Sequence, residues 1–225
     1  MDKIGEFELI ESIKKKIEIM HEQSSAPTKL DSKDVIVGIG DDCAVLEFNE
    51  KEHLIVTTDT MVEGDHFNLE WSSIEQLGMK AVEQNVSDIA AMGGNPLFML
   101  VSLALPSNDQ DFMDNLYKGI NEKIKKYGIN IIGGNITHSD QIVVNITLIG
   151  KVEKEFLALR KNAKVGDLVY CSGDVGKSTA GLELLRANLE GNSVVFNLEP
   201  KSRLELGRNL VKEGVKCMID VSDGV

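Results

Sequence analysis

The chain has 225 residues, 42% of them apolar, and its 24 basic against 36 acidic side chains leave a net charge of −12. That size and apolar content support a real core in one large or two smaller domains, while the acidic balance disfavours nucleic acid and anionic membrane, both of which select a basic face. No apolar run approaches the roughly 18 residues of a membrane span, the N-terminus lacks a signal-like apolar stretch, and three cysteines without metal spacing read as reduced thiols, so a cytoplasmic location is expected.

Phe7, Ile10, Ile13, Ile17 and Met20 recur at helical spacing and predict an opening amphipathic helix, followed by the polar connection HEQSSAPTKLDSKD. VIVGIG and HLIVTTDT read as short strands flanking DDCAVLEFNEKE, a hairpin or a pair of neighbouring strands. Ile74, Leu77, Ala81, Val82, Val86 and Ile89 step at three and four, giving a helix that ends near MGGNP. LFMLVSLALP has the composition of a buried strand. Phe112, Leu116, Ile120, Ile124 and Tyr127 give a second long helix, closed by Gly128. INIIGGN and QIVVNITLIGKV supply two more strands.

After Lys151 the pattern restarts. EKEFLALRKNAKVGDL is polar and turn-rich, a domain junction. A strand over Asp167 to Tyr170, a helix over Thr179 to Asn188, a linker with Pro200, a helix around Leu204 to Leu210 and an apolar strand in CMIDVSDGV are expected to follow. Strands alternate with helices, yet several neighbours are close enough to be antiparallel, so the expected class is α+β, a mixed α/β fold. Residues 1–152 read as a first domain and 153–225 as the start of a second, incomplete one. CSGDVGKST resembles a phosphate-cradling P-loop, but Cys171 stands where that motif needs its first glycine.

The aspartates gather where solubility does not need them. GIGDD puts Asp41 and Asp42 after an apolar strand and a glycine turn. TTDTMVEGDHF puts Asp59 at the end of another, beside Thr57, Thr58 and Thr60. Asp88 lies on the first long helix beside its apolar stripe, one turn after Asn85, and IDVSDGV carries Asp220 and Asp223. A carboxylate at a core edge is costly unless it is paired or holds a metal. Those three quoted segments contain no lysine or arginine. A divalent cation is the natural counter-charge, and hard oxygen ligands suit Mg²⁺ with substrate phosphates. Each aspartate taken alone reads more simply as a turn or cap residue, and only the set together points to a metal. His66 alone reads as structural or exposed. Gly133 and Gly134 of GGN admit either a close approach to phosphate or a tight turn.

Taken together, GEFELI, GIGDDCAVL, TTDTMVEGDHF, NVSDIAAMGGNP, IIGGN, LALRKNAKVGD, SGDVGKSTAGL and MIDVSDGV resemble the thiamine-monophosphate kinase family in order and spacing over essentially the whole chain. The chain is more distantly similar to aminoimidazole ribonucleotide synthetase, selenophosphate synthetase and the hydrogenase-maturation dehydratase. Selenophosphate synthetase carries an N-terminal reactive cysteine or selenocysteine, whereas no cysteine precedes Cys43 here.

The resemblance implies an N-terminal domain whose sheet pairs with that of a second subunit into a barrel across a homodimer. It implies ATP and several Mg²⁺ ions in a cleft between domains, and transfer of the γ-phosphoryl group of ATP to thiamine monophosphate. Asp42, Thr57, Asp59 and Asp88 match the family's metal positions, with Thr58 a further candidate. Asp220 and Asp223 match carboxylates holding metal on the phosphate side, and Ser222 an ATP contact. Arg160 matches an arginine near the nucleotide, Gly134 a turn against ATP, Tyr117 a nucleotide-pocket tyrosine and His66 a substrate contact, although the spacing of Tyr117 from Met113 and Ile120 fits core packing just as well.

Two departures stand out. Asn135 replaces the aspartate that follows the two glycines, which implies weaker metal binding and a slower rate. The acidic GGEDYE-type segment expected beyond SDG is absent, which suggests a truncated product. The competing expectations are another ATP-using enzyme of the superfamily, or a non-catalytic nucleotide-binding remnant. In the leading reading, phosphates are held by aspartate-bound magnesium, Arg160 and GGN. Gly173 and Gly176 of CSGDVGKST are then turn glycines and Lys177 is exposed.

Overall fold

Three long strands that bury alternate side chains, β3 (Glu52–Val62), β4 (Asn95–Leu105) and β6 (Val143–Glu153), form the centre of the sheet. The computed structural model describes residues 5–23, 34–107 and 109–222. The remaining elements are α1 (Glu6–Gln23), β1 (Val35–Val37), β2 (Ala44–Glu47), α2 (Ile74–Ala91), α3 (Gln110–Tyr127), β5 (Asn130–His138), two 3₁₀ turns (Lys154–Phe156 and Arg160–Asn162), α4 (Lys177–Arg186), α5 (Val194–Leu198) and α6 (Leu204–Lys212).

Sheet order is β1-β2-β3-β6-β4-β5. Every pairing is antiparallel except β4 with β5, which are parallel because α3 carries the chain back between them. The fold class is thus the mixed α/β arrangement expected, and the anticipated hairpin is a three-strand meander, β1-β2-β3.

One face of the sheet is covered by α2. Its Leu77, Val82, Val86 and Ile89 are buried with Ile55, Met61, Met99, Leu103, Ile146 and Leu148 of the strands. Each such side chain contributes about 1.5–3 kcal/mol relative to exposure. Ser73 and Gln76 form a reciprocal capping box that starts α2, and Gly128, at φ 70°, ends α3 in the left-handed conformation expected of it. α3 packs on the outside of α2 through glycines. A Cβ on Gly119 would lie 1.9 Å from the Glu75 carbonyl oxygen, and one on Gly78 would lie 2.2 Å from that of Leu116. α6 seats against the other end of α2, with Gly207 facing the Ala90 carbonyl.

Some expectations need correction. Asp167 to Tyr170 forms no strand, and Leu168, Val169 and Tyr170 are 77%, 90% and 85% exposed. Among the described residues no neighbouring strand is available to them, and β-propensity without a ladder partner does not make a strand. Met218 to Asp220 likewise joins no strand ladder of the described residues. The GGN segment is not a turn. Gly133, Gly134 and Asn135 lie inside β5, next to a bulge in its pairing with β4. A Cβ on Gly134 would fall 1.9 Å from the Val101 carbonyl oxygen, so close strand approach accounts for that glycine. In CSGDVGKST, Gly173 and Gly176 both have φ 87° and are turn glycines; Gly176 caps α4, and Lys177 pairs with Asp174 at the surface. α5 was missed, since five residues are too few for periodicity to register.

Candidate active site

The acidic residues converge because four separate elements end at one place. The turn after β1 supplies Asp41 and Asp42, β3 supplies Thr57 and Asp59, the last turn of α2 supplies Asp88, and the segment after α6 supplies Asp220. One carboxylate oxygen each from Asp42, Asp88 and Asp220 lies within 4.8 Å of the others. The Thr57 hydroxyl donates to Asp88 Oδ2 at 2.5 Å, and the Ser87 hydroxyl to Asp220 Oδ2 at 3.1 Å.

Electrostatics mark the cluster as under-compensated. Burial pushes the Asp88 carboxyl up to about 8 against the hydrogen bond from Thr57, with Asp59, Asp220 and Asp42 adding to the rise. Burial also raises Asp42 to about 6, although the Arg160 guanidinium donates to it. The Asp42 side chain is only 1% exposed, and its Oδ2 has no hydrogen-bond partner among the described residues. Backbone N–H of Arg160 donates to Asp41 Oδ2 at 3.1 Å, which fixes the start of the second 3₁₀ turn over the Asp41–Asp42 turn. A buried carboxylate oxygen left without a partner among the described residues, three converging carboxylates and acids raised first by burial and then by their neighbours' charge fit a hard divalent cation.

Other sequence candidates fall elsewhere. Side chains alternate along β3, so Thr58 points to the opposite, open face, where its hydroxyl meets Thr147 Oγ1 and the Ile146 carbonyl. Asn135 is on that open face too, in register with Ser102, which faces Asn145. β5 lies three strands from β3, roughly 14 Å at ordinary strand spacing, so Asn135 does not join the cluster of its own chain. Gly134 shares that edge strand. Tyr117 packs against the core from α3 and lines a shallow groove with Glu75 and Lys118, about 20 Å along α2 from Asp88. Ser222 is exposed two residues beyond Asp220, and Asp223 lies outside the described residues.

His66 follows β3 and accepts from the Val62 N–H at Nδ1. It lines a cavity with Phe67, Trp71, Lys80, Leu182 and Arg186, between the β3–α2 connection and α4. Sequence reasoning missed Ser87, Lys80 and Trp71. Ser87 was recoverable, being the residue beside Asp88 in NVSD; Trp71 and Lys80 are gathered only by the loop's path.

Comparison with known proteins agrees with this architecture. The profile of the family AIR synthase related protein, N-terminal domain, matches residues 40–152. The thiamine-monophosphate kinase of Bacillus subtilis is 40% identical over 99% of this chain and 68% of its own length. That of Haemophilus influenzae is 39% identical over 85% of this chain and 59% of its own. Among solved structures, AaThiL complexed with AMPPCP and TMP superposes with a TM-score of 0.84 at 34% identity, covering 100% of this chain and 68% of that one. Fold, sequence and the three converging carboxylates lead to one assignment: the chain belongs to the thiamine-monophosphate kinase family, within the AIR synthase related proteins.

Proposed function

We propose that this chain phosphorylates thiamine monophosphate to thiamine diphosphate at the expense of ATP, with Mg²⁺ held by Asp42, Asp88 and Asp220 and assisted by Thr57 and Asp59. The convergence of those three carboxylates carries the reading. It is supported by the AMPPCP and TMP bound to the similar AaThiL. Magnesium bound there would neutralise the phosphate charge that otherwise keeps two polyanions and an acidic chain apart.

The acceptor is a phosphate oxygen, already largely ionised near pH 7, so the residues must position and neutralise rather than abstract a proton. Thr57 orients Asp88 by donating to one of its oxygens, leaving the other for the cation. Arg160, paired with Asp42, is placed to exchange that partner for phosphate oxygens. His66, Phe67 and Trp71 offer an aromatic-lined cavity for the thiamine end. Supplying ATP, Mg²⁺ and thiamine monophosphate should yield ADP and thiamine diphosphate; nucleotide binding with no turnover would favour the remnant reading, and a different acceptor another superfamily activity.

The proposed organisation is a first unit of residues 1–152 and a second of 153–225, supported by the family match that ends at 152. A cytoplasmic homodimer is part of the proposal; none of the described helices is long and apolar enough to cross a membrane. β5 leaves a nine-residue edge with Ile132 and Ile136 exposed, and closing such an edge against a second copy removes an aggregation hazard. Barrel closure would carry Gly134 and Asn135 to the partner's site rather than their own. Mixing inactive Asp88→Asn and Asn135→Ala chains should then restore activity to a share of dimers, and failure to complement would count against sharing. Asn135→Asp should lower the Mg²⁺ concentration at half-maximal rate by about threefold to tenfold; no change in that concentration would remove Asn135 from the site.

Acidity gives a further test. Asp88 and Asp42 hold their protons more tightly when folded than their ordinary value of 3.8 allows, at about 8 and about 6. Their contribution to metal-free stability is therefore complete below pH 3.8 and is lost as pH rises through about 6 and about 8. Magnesium competes with those protons, so its stabilising shift in melting temperature should be larger near pH ~8.5 than near pH ~6. Equal shifts in melts with and without MgCl₂ would contradict the cluster as a metal centre.

A further inference from the structure

Glu83 lies on α2 among apolar neighbours and is 1% exposed, an unusual place for a charge. Its carboxylate is richly satisfied. Oε2 accepts from the Tyr127 hydroxyl at 2.7 Å and from the Ser202 backbone N–H at 2.8 Å, while Oε1 faces Lys123 and Lys126, each at 3.4 Å. Tyr127 Oη also meets Ser202 Oγ at 2.9 Å. Burial alone would raise this acid; the hydrogen bonds from Tyr127 and Ser202 and the Lys126 charge outweigh it, and the carboxyl is held below its ordinary value. The carboxylate thus ties α2 and α3 to the segment leading into α6.

That segment is fastened along its length. Gln76 Nε2 donates to Glu199 at 2.8 Å just before it. Arg208 of α6 forms a bidentate pair with Glu153 at 2.8 and 3.0 Å and donates to the Gly93 carbonyl. Beyond α6, the Lys216 carbonyl accepts from Leu159 N–H at 3.0 Å and from Asn162 Nδ2 at 2.9 Å. The run ends with Asp220 on Ser87. Ser87 lies four residues after Glu83, one turn along the same face of α2. The helix therefore holds both ends of one arm: Glu83 grips its start, and Ser87 receives its carboxylate.

We propose that Glu83 is a positioning residue for the metal centre, whose buried carboxylate locks the arm from Glu199 to Asp220 onto α2 and so sets Asp220 against Asp42 and Asp88. This rests on the reading of those three acids as cation ligands. A purely structural Glu83 would lower the melting temperature and leave cation affinity of the folded chain alone; a positioning Glu83 moves both.

The test is Mn²⁺ binding to the whole chain without nucleotide, by the loss of free-ion paramagnetic resonance signal, at a temperature where every variant is folded by circular dichroism. Glu83→Ala should raise the Mn²⁺ dissociation constant by about tenfold. Glu83→Gln keeps an acceptor for Ser202 and should recover most of that loss. Tyr127→Phe, which keeps the ring should Glu83→Ala fail to fold, should raise it by about threefold to fivefold. In an Asp220→Asn background, Glu83→Ala should add little, because the arm then has no carboxylate to deliver. Wild-type affinity in both Glu83→Ala and Tyr127→Phe, or a full tenfold effect persisting without Asp220, overturns the proposal while leaving the metal centre standing. A wild-type chain that binds no Mn²⁺ removes the metal centre itself, and the lock with it.

Discussion

Asp88→Asn should cut ADP release in the presence of thiamine monophosphate by on the order of a thousandfold, the loss typical when one preorganised charge-stabilising group is removed. The substitution keeps shape, and asparagine can still accept from the Thr57 hydroxyl, so the fold has little reason to change. What disappears is the acid that sits among Asp42, Asp59 and Asp220 with its pKa raised to about 8. The same feature reverses the usual sign for stability. Above pH ~8 the metal-free protein must hold that carboxylate ionised beside others, whereas asparagine carries no charge. The variant should therefore melt higher than the parent in alkaline, metal-free buffer, and it should lose most of the parent's response to MgCl₂. Calorimetric melts across pH, with steady-state rates beside them, check both halves. Undiminished turnover would mean that the three acids do not serve the reaction.

For stability, the largest expected effect is at the seam of α2 and α3. Gly119→Ala would place a methyl 1.9 Å from the Glu75 carbonyl oxygen, and Gly78→Ala would place one 2.2 Å from that of Leu116. Both obstacles are backbone, so no side chain can swing aside; the helices must separate. Overpacking of this kind costs about 3 kcal/mol or more, against the roughly 1 kcal/mol that alanine gains in an exposed helix. Gly128→Ala is the internal contrast. It meets nothing within 4 Å among the described residues, and only its left-handed φ of 70° is penalised, at about 1 kcal/mol. Urea unfolding of the three variants orders these effects, and a Gly119→Ala chain as stable as Gly128→Ala would refute the close seam. Because Asp88 rides on α2, a parted seam should also weaken magnesium binding.

The sheet and its two long helices were legible because their signals are local. Val82, Val86 and Ile89 repeat at helical spacing, and β6 alternates along its whole length. The acids at strand ends were legible for an energetic reason: Asp42 and Asp88 border apolar runs where an unpaired charge is costly. Position across the sheet was not legible. GGN admits a tight turn until β5 is seen to continue to His138, and Thr58 cannot be assigned a face until β3 has a register. Glu83 was overlooked for the opposite reason. Its place beside the apolar stripe was visible in the sequence, but its partners Tyr127 and Ser202 are brought to it only by the packing of distant segments.

The last strand of the sheet in the chain, β6, is inserted between β3 and β4, so that Thr57 pairs with Leu148. Closing so long a loop is entropically slow, and β3 gains its second neighbour only when that closure is complete. Thr57 and Asp59 are then fixed late, and the arm bearing Asp220 later still, since it rests on helices that pack over the finished sheet. A cation that needs all of them has nothing to grip in the transition state. Magnesium should accordingly leave the refolding rate unchanged and act on the other limb, holding the assembled protein back from unfolding.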